Sequence, residues 1–304
     1  VCVGIGEGGY GPAAPTILSD LFPIESRGRI MAIFCAAIPV GSALGYVIGG
    51  LIAAHLGWRW AFYLVAPPGL LLGLACFWRR DPRVAADHLR RKSCRRSVRN
   101  YLNLFRTRSY LINCIAMTLM TFVTGGLGFW VPAYLRYRHQ SPDVGMTIFG
   151  LITVVAGLVS TLLGGVVADK LRSRLPGSYF WVSGIGMLIA CPFFIATLYF
   201  PFPAAWIPMF LAIFFLFLNT GPSNTALANV SLPAVRATAF AANIFVIHAL
   251  GDVQAFWLLG YIGGHTNMHV AFLFVSGIIL LSGVAWLIGV KYLPEDTAAV
   301  EAHA

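Results

Sequence analysis

Three ionisable side chains lie inside long apolar stretches of the chain, and they are the residues best suited to carry chemistry: Glu7, His248 and Asp252. A charge at the centre of a bilayer costs at least about 2.5–3.5 kcal/mol on insertion scales, so each group needs a water-filled cavity, a partner or a proton. The proton affinity of a carboxylate depends on desolvation and on nearby cations. A group that alternates between two such surroundings binds and releases a proton in each cycle. We therefore predict Glu7 as a proton-coupling residue; the alternative is permanent pairing with an arginine of a neighbouring helix.

His248 and Asp252 are four residues apart, which places them on the same face of a helix. The pair has the chemistry of a proton relay or of a polar contact to substrate. A fixed hydrogen-bonded pair that holds the helices together fits the spacing equally well, because structural ion pairs also perturb ionisation. The sequence leaves both interpretations open and adds the pair to the candidate coupling residues.

A run of polar and helix-weakening residues, 219–224, interrupts another apolar stretch. Its proline removes one backbone hydrogen bond, so neighbouring groups or water must satisfy the freed carbonyl. Broken helices of this kind occur at transporter sites and gates, and a packed kink is the alternative. Together with the ionisable groups, the run predicts a mid-membrane cavity lined by Glu7, Tyr10, Asn219, Asn224, Asn243 and His248.

The composition requires a membrane environment for these side chains. Of the 304 residues, 58% are hydrophobic and 11% are charged, whereas soluble domains carry about 25% charged residues. The formal net charge of +10 would suggest nucleic-acid binding if it were spread over a polar surface. The basic residues instead lie in short segments between apolar runs, which indicates membrane topology and disfavours a nucleic-acid partner.

Nine apolar stretches have the length of a membrane span, about 20 residues. The sequence therefore predicts an all-α membrane protein with nine transmembrane helices. The predicted spans are 1–22, 28–56, 60–78, 109–135, 146–168, 178–199, 205–227, 237–260 and 269–290. They divide the chain into a three-span unit at 1–78, a basic linker at 79–108, a six-span unit at 109–291 and a tail at 292–304.

The basic residues orient these spans. If 79–108 is cytoplasmic, alternation leaves Arg59, Arg136 and Arg138 outside and all other Lys and Arg residues inside. This is the asymmetry of the positive-inside rule. It predicts an integral protein of the bacterial inner (plasma) membrane with a cytoplasmic tail. A chain whose first residue already lies in a span is expected to be a fragment that lacks about three spans.

Several motifs resemble the major facilitator superfamily of transporters. Gly164-Gly165-Val166-Val167-Ala168-Asp169-Lys170, followed by Arg172 and Arg174, resembles the signature loop after the second span of a half. Gly41, Gly45 and Gly49 resemble the glycine-rich fifth span frequent among antiporters. Within the superfamily, the stretches that resemble the Spinster group of lipid transporters are Gly4 to Tyr10 with Asp20 to Pro23, Asn219 to Pro222, and Arg236 to Phe240 with His248 to Asp252.

The resemblance implies two bundles that give alternating access to a central site. The loop with Gly165, Asp169, Lys170, Arg172 and Arg174 would latch the cytoplasmic gate, with Asp169 near the start of the eleventh span at Ala237. Spacing also makes Gly41, Gly45 and Gly49 a small-residue stripe suited to helix packing.

These observations together predict a monomeric, proton-coupled secondary transporter that moves an amphipathic lipid, such as a lysophospholipid or a sphingoid phosphate. A transporter of organic anions, sugars or drugs is the alternative within the superfamily. A membrane enzyme is disfavoured because the sequence has no HExxH or GxSxG motif, and a channel is disfavoured by the repeat-like organisation. We expect no cofactor or metal. The basic loop, with Arg90, Arg91, Lys92, Arg95, Arg96 and Arg99, is expected to attract anionic lipid headgroups.

Overall fold

The structure is a computed structural model that describes residues 2–78 and 104–302. The side chains of residues 2–9 and of a few positions in the first four helices and near residue 142 lie outside this description. The basic residues from Arg79 to Arg99 also lie outside it, so the predicted headgroup contacts of the linker stay a prediction. Every regular element in the described ranges is helical, as expected for spans that must satisfy their own backbone hydrogen bonds in lipid.

Four helices precede the linker. They are α1 (Cys2–Leu21), α2 (Arg27–Cys35), α3 (Ala37–Leu56) and α4 (Trp58–Phe77). The chain leaves α1 just before Pro23, whose ring cannot continue a helix interior. Gly57, between α3 and α4, has φ +89°, a conformation open to glycine at little cost. The hairpin between these two helices therefore depends on that glycine.

Nine helices follow the linker. They are α5 (Arg108–Tyr137), α6 (Pro142–Arg172), α7 (Ser178–Tyr199), α8 (Trp206–Phe217), α9 (Thr220–Asn229), α10 (Arg236–Ile247), α11 (Val253–His265), α12 (Met268–Gly289) and α13 (Leu293–Glu301). A π-helical turn, His248–Asp252, joins α10 to α11. Six long membrane-crossing rods result: α5, α6, α7, the α8–α9 pair, the α10–α11 pair and α12.

Seven helical stretches in the described ranges have the length and hydropathy of a membrane span. One is Arg59–Cys76, and the other six correspond to the six rods after the linker. The all-α membrane fold is thus confirmed, while the number nine stays a prediction. Helices α1 and α2–α3 occupy the two further places where the sequence predicted spans.

The largest packed core lies among the helices after the linker. Helix α12 packs closely against α5 and α7, and its Trp286 is fully buried. Tyr134 of α5 stacks on Phe272 of α12 with ring centroids 4.3 Å apart. The earlier helices join this core at three places, where α2 and α3 pack against α6, where α2 packs against α9 and where α1 packs against α10. These contacts position the candidate site.

Candidate functional site

A buried ion pair joins α1 to α10. Arg236, at the start of α10, donates to the carboxylate of Asp20 near the end of α1. The same guanidinium donates to the carbonyl of Ala228 at 3.1 Å and to that of Ser231 at 3.2 Å. Arg236 is only 2% exposed, so the loss of Asp20 would leave a buried charge without its counter-ion, an arrangement that is strongly destabilising.

Asp169, at the end of α6, accepts hydrogen bonds from the first turn of α2 and from Tyr179 of α7. The donors are the backbone N–H of Gly28 at 3.1 Å, that of Arg29 at 2.7 Å, and the hydroxyl of Tyr179 at 2.9 Å. The first N–H groups of a helix lack intrahelical partners and carry a partial positive charge, which suits a carboxylate. The expected partner, the start of the eleventh span near Ala237, is therefore wrong. The reason is that α6 packs against α2, while the start of α10 is occupied by Asp20.

The three basic residues that follow Asp169 in the signature loop differ in their contacts and exposure. Arg172 lies 3.3 Å from the Glu301 carboxylate of α13. Lys170 and Arg174 are exposed. The loop thus faces the start of α2 through its acid and α13 through one of its arginines, so its predicted gating role stays a proposal supported by the first contact.

Two adjacent glycines of α6, Gly164 and Gly165, allow the backbone of this helix to contact the backbones of two other segments. A Cβ at Gly164 would overlap the carbonyl oxygen of Leu218, whose usual helical partner would be the nitrogen of Pro222. Because proline has no N–H, that carbonyl lacks its usual helical donor, and it lies against α6 at Gly164. A Cβ at Gly165 would overlap the carbonyl oxygen of Gly28 and lie 2.5 Å from the Cβ of Ala32 on α2.

The glycine stripe of α3, Gly41, Gly45 and Gly49, was predicted to pack closely against another helix. No described atom lies within 4 Å of an added Cβ at Gly41 or Gly45, and the side-chain surroundings of Gly49 lie outside the described part. The face of α3 that contacts α6 is a different one, with Pro39 3.1 Å from the Cβ position of Gly157, and the helix-packing role of the three glycines stays a prediction.

Further polar contacts tie α2 to the helices after the linker. Arg27 donates to the side-chain oxygen of Asn229 at 2.9 Å, and Asn224 lies 3.7 Å from the sulfur of Cys35. Four hydrogen bonds between described residues on opposite sides of the linker involve Asp20, Arg27, Gly28, Asp169 and Arg236. We refer to these five residues as the latch and to the part of the bundle that contains them as the latch end.

The candidate coupling and cavity residues lie nearer the middle of the bundle. Tyr10 on α1 is 61% exposed and its ring centroid is 5.9 Å from that of Phe34. Glu7 is on the same helix, but its side chain lies outside the described residues, so its role stays a prediction. Exposure of Tyr10 is compatible with a place on a cavity wall.

His248 and Asp252 are brought together by the π-helical turn. The imidazole Nδ1 lies 2.5 Å from the carboxylate oxygen Oδ2, and the two side chains are 54% and 21% exposed. Short π-helical turns occur frequently at functional sites. The predicted juxtaposition is present, and its exposure shows that the pair is not sealed inside the helix packing.

The three asparagines predicted to line the cavity have unlike surroundings. Asn219 and Asn243 are fully buried, and the side-chain oxygen of each has no hydrogen-bond partner in the described structure. The amide of Asn219 donates to Leu216 at 2.5 Å and faces Met187. In this conformation neither asparagine lines an open cavity, because helix packing encloses it. Asn224 is half-buried at the contact between α2 and α9.

Sequence reasoning did not single out the Asp20–Arg236 pair, Asn229 or Gly28 as site residues. Asp20 and Arg236 are 216 residues apart, and no local spacing connects them. Their position did hold one indication, since each lies at the end of a predicted span on the same side of the membrane. Two opposite charges at the same depth in the membrane would have predicted this ion pair.

Comparisons with known proteins agree with this architecture. The family model described as Major Facilitator Superfamily matches residues 1–253. The chain is 34% identical to Protein spinster homolog 3 of Danio rerio over 98% of its own length and 66% of that protein. It is 30% identical to the sphingosine-1-phosphate transporter SPNS2 of Xenopus tropicalis over 98% of its own length and 64% of that protein. The chain thus spans about two thirds of the length of these relatives.

A solved structure shares the fold. The proton:xylose symporter XylE superposes with a TM-score of 0.68 at 19% identity, covering 89% of this chain and 65% of that one. At this level of identity the likeness concerns the arrangement of helices. It agrees with the helical rods described above.

Proposed function

Because the chain belongs to the major facilitator superfamily, we propose that it moves an amphipathic lipid across the membrane by alternating access, coupled to protons. The lipid class follows from its Spinster relatives, one of which is named as a sphingosine-1-phosphate transporter. A lysophospholipid or a sphingoid phosphate has the matching chemistry, a charged headgroup on a single long chain. The proposal makes the protein a transporter rather than an enzyme.

The observation that carries the proposal is the latch. Alternating access requires contacts between two helix groups that form in one state and break in another, so that their equilibrium is biased by ligands. The latch joins residues of 1–78 to residues of 109–291 through one ion pair, one side-chain hydrogen bond and two backbone donors to Asp169. We take these two units as the moving parts and the latch as the closed gate.

The proposed orientation follows the basic residues. With the linker and the tail in the cytoplasm, the latch closes the cytoplasmic side, and Lys170, Arg172 and Arg174 lie at that surface near anionic headgroups. The membrane is proposed to be a bacterial inner membrane, and the protein to act as a monomer. Gly165 supports the gate by letting α6 approach the carbonyl of Gly28.

Glu7, His248 and Asp252 are proposed as the groups that bind the coupling proton. An acid or an imidazole inside a span is a functional candidate because its ionised form is costly there. The exposure of the His248–Asp252 pair supports access from a water-filled cavity. Tyr10 and Asn224 are proposed to contact the substrate in this state, and Asn219 and Asn243 after a rearrangement that exposes them.

Uptake into proteoliposomes tests the proposal. The purified protein is reconstituted, and labelled lysophosphatidylcholine, sphingosine 1-phosphate, glucose and an aromatic carboxylate are compared with and without a pH gradient. We expect saturable uptake of a lipid that a pH gradient accelerates. Saturable uptake of glucose or of the carboxylate instead would contradict the lipid assignment, and non-saturable flux would indicate a channel.

Two glutamates provide a matched pair for the coupling claim. Glu7→Gln should abolish the acceleration by the pH gradient while lipid binding stays measurable. Glu25→Gln is the control, because Glu25 is an exposed residue between α1 and α2. If Glu7→Gln couples like the unsubstituted protein, Glu7 is not the coupling residue.

A further inference from the structure

The carboxylate of Asp252 lies against the backbone of α5. The π-helical turn that contains it packs closely on this helix, and its other neighbours are α10 and α11. A Cβ at Gly125 of α5 would overlap Asp252 Oδ1 and lie 2.9 Å from its Cγ. The carboxylate thus fills the space that a side chain at position 125 would need, while its second oxygen lies 2.5 Å from His248.

Neighbouring glycines make close contacts of a different kind. A Cβ at Gly126 would lie 2.7 Å from the Cδ1 of Leu259, an apolar neighbour. A Cβ at Gly251 would lie 2.8 Å from the carbonyl oxygen of Thr118. A Cβ at Gly128 would meet no described atom within 4 Å. Among these four glycines, Gly125 is the one whose missing side chain makes room for an ionisable group.

We propose that Gly125 is a positioning residue for proton coupling: its bare Cα holds the Asp252 carboxylate in the orientation that pairs it with His248. This inference rests on the proposed coupling role of that pair. Asp252 has two rotatable side-chain bonds, and its carboxylate contacts α5 through Oδ1 and the imidazole of His248 through Oδ2. A methyl group at position 125 displaces the carboxylate and separates it from Nδ1.

The surroundings of the pair contain few other ionisable groups. The helices packed on the π-helical turn carry no Asp, Glu, Lys, Arg or His within 117–131 of α5, 237–247 of α10 and 253–264 of α11, where Tyr261 is the one titratable side chain; Arg236 and His265 lie just beyond these stretches. Helix α1, which packs against α10, carries Glu7. The orientation of the Asp252 carboxylate therefore strongly affects the electrostatic potential around His248.

The substitution is expected to leave the fold intact. The atoms that an alanine at position 125 would meet belong to a flexible side chain, which rotates at low cost, and not to backbone. The replaced residue is in a helix, where alanine is favoured over glycine. A loss of coupling in Gly125→Ala would therefore result from displacement of the Asp252 carboxylate and not from unfolding of the protein.

The experiment compares glycine variants of one helix in proteoliposomes with labelled lysophosphatidylcholine as the probe. The pH profile of uptake is recorded for Gly125→Ala, Gly126→Ala and Gly128→Ala. We expect Gly125→Ala to lose about tenfold of the pH-driven component, a loss within the range of measured couplings between neighbouring residues. Gly128→Ala, whose new methyl group meets open space, and Gly126→Ala, whose methyl group meets Leu259, should keep the profile.

A double-mutant cycle separates positioning from general packing. In an Asp252→Asn background, Gly125→Ala should have no further effect on the pH-driven component, because the group it displaces no longer ionises. A full additional loss in that background, or an equal loss in Gly126→Ala, overturns the inference. If Asp252→Asn alone keeps normal coupling, the proposed role of the pair fails and the inference fails with it; if Asp252→Asn loses coupling but Gly125→Ala matches Gly128→Ala, the inference alone is wrong.

Discussion

Two of the close glycine contacts in this molecule differ in kind, the α6 contact at the latch end and the α5 contact at the π-helical turn. At α6, the space beside Gly164 and Gly165 is filled by the carbonyl oxygens of Leu218 and Gly28, which are backbone atoms. At α5, the space beside Gly125 is filled by the carboxylate of Asp252. The first contact sets how the helices pack, and the second sets the orientation of a carboxylate that we propose binds the coupling proton. Identical substitutions at the two places should therefore affect different properties.

The largest expected effect is that of Gly164→Ala on stability. The new methyl group would overlap the Leu218 carbonyl, and neither helix can move without disturbing the packing of α6 against α8. We expect a loss of about 3 kcal/mol in the free energy of unfolding, the upper end of the range for overpacked cores. Unfolding in mixed micelles measures it.

Gly277→Ala is the control for that measurement, because no described atom lies within 4 Å of its Cβ position on α12. It should stabilise the protein slightly, by about 0.5–1 kcal/mol, through the lower entropy of the unfolded chain. Equal stability of the two variants would show that the backbone contact at α6 relaxes freely, and the contrast with α5 would disappear.

The next largest effect concerns the buried ion pair of the latch. Asp20→Asn should cost the closed state about 2 kcal/mol, less than the roughly 3–5 kcal/mol for fully buried pairs, because Asp20 is half-buried and Arg236 keeps two carbonyl acceptors. Opening would expose Cys35, now 4% exposed at the contact between α2 and α9. Maleimide labelling of Cys35, followed by peptide mass spectrometry, should therefore become faster.

Glu25→Gln, which removes an exposed acid between α1 and α2, should leave the labelling rate of Cys35 unchanged. If Asp20→Asn also leaves it unchanged, the ion pair does not hold the gate closed, and the latch end would then depend on the hydrogen bonds of Arg27 and Asp169 and on its glycine contacts.

The third effect is the small change in stability expected for Gly125→Ala. The cost of rotating one carboxylate, about 0.5–1.5 kcal/mol for a strained rotamer, is offset by the helix preference of alanine over glycine, up to about 1 kcal/mol. The free energy of unfolding should shift by less than about 1 kcal/mol. A loss as large as that of Gly164→Ala would mean that the α5 contact is as rigid as the α6 contact.

The contrast between the two regions also marks how far sequence reasoning reached. Apolar length predicted the helices well: the span expected at 178–199 is α7, Ser178–Tyr199. The polar run at 219–224 predicted an interruption, and the helix breaks between Phe217 and Thr220. The π-helical turn at His248–Asp252 was not predicted, because its residue types also occur in ordinary α-helices.

The sequence could not predict which residues of different helices contact each other across the bundle. Asp169 was expected in a loop after residue 168, but it lies in the last turn of α6, and its carboxylate contacts α2 instead of the eleventh span. Which helix lies beside which depends on close contacts such as that of Gly165 with Gly28, and these appear only when the helices are packed. Gly41 and Gly45 show the converse, since the same spacing pattern makes no close contact in the described structure.

The smallest expected effect is that of Glu301→Gln, which removes the ion pair between α13 and Arg172. The pair has the same chemistry as Asp20–Arg236, but its side chains are 52% and 23% exposed and lie 3.3 Å apart. Exposed pairs contribute about 0.2–1 kcal/mol and are screened by salt. The labelling rate of Cys35 and the unfolding free energy should therefore change little at low ionic strength and not at all at high ionic strength, with Glu295→Gln on the same helix as control. A change as large as that of Asp20→Asn would show that α13 is part of the latch, and the gate would then extend through Arg172 beyond the five residues assigned to it.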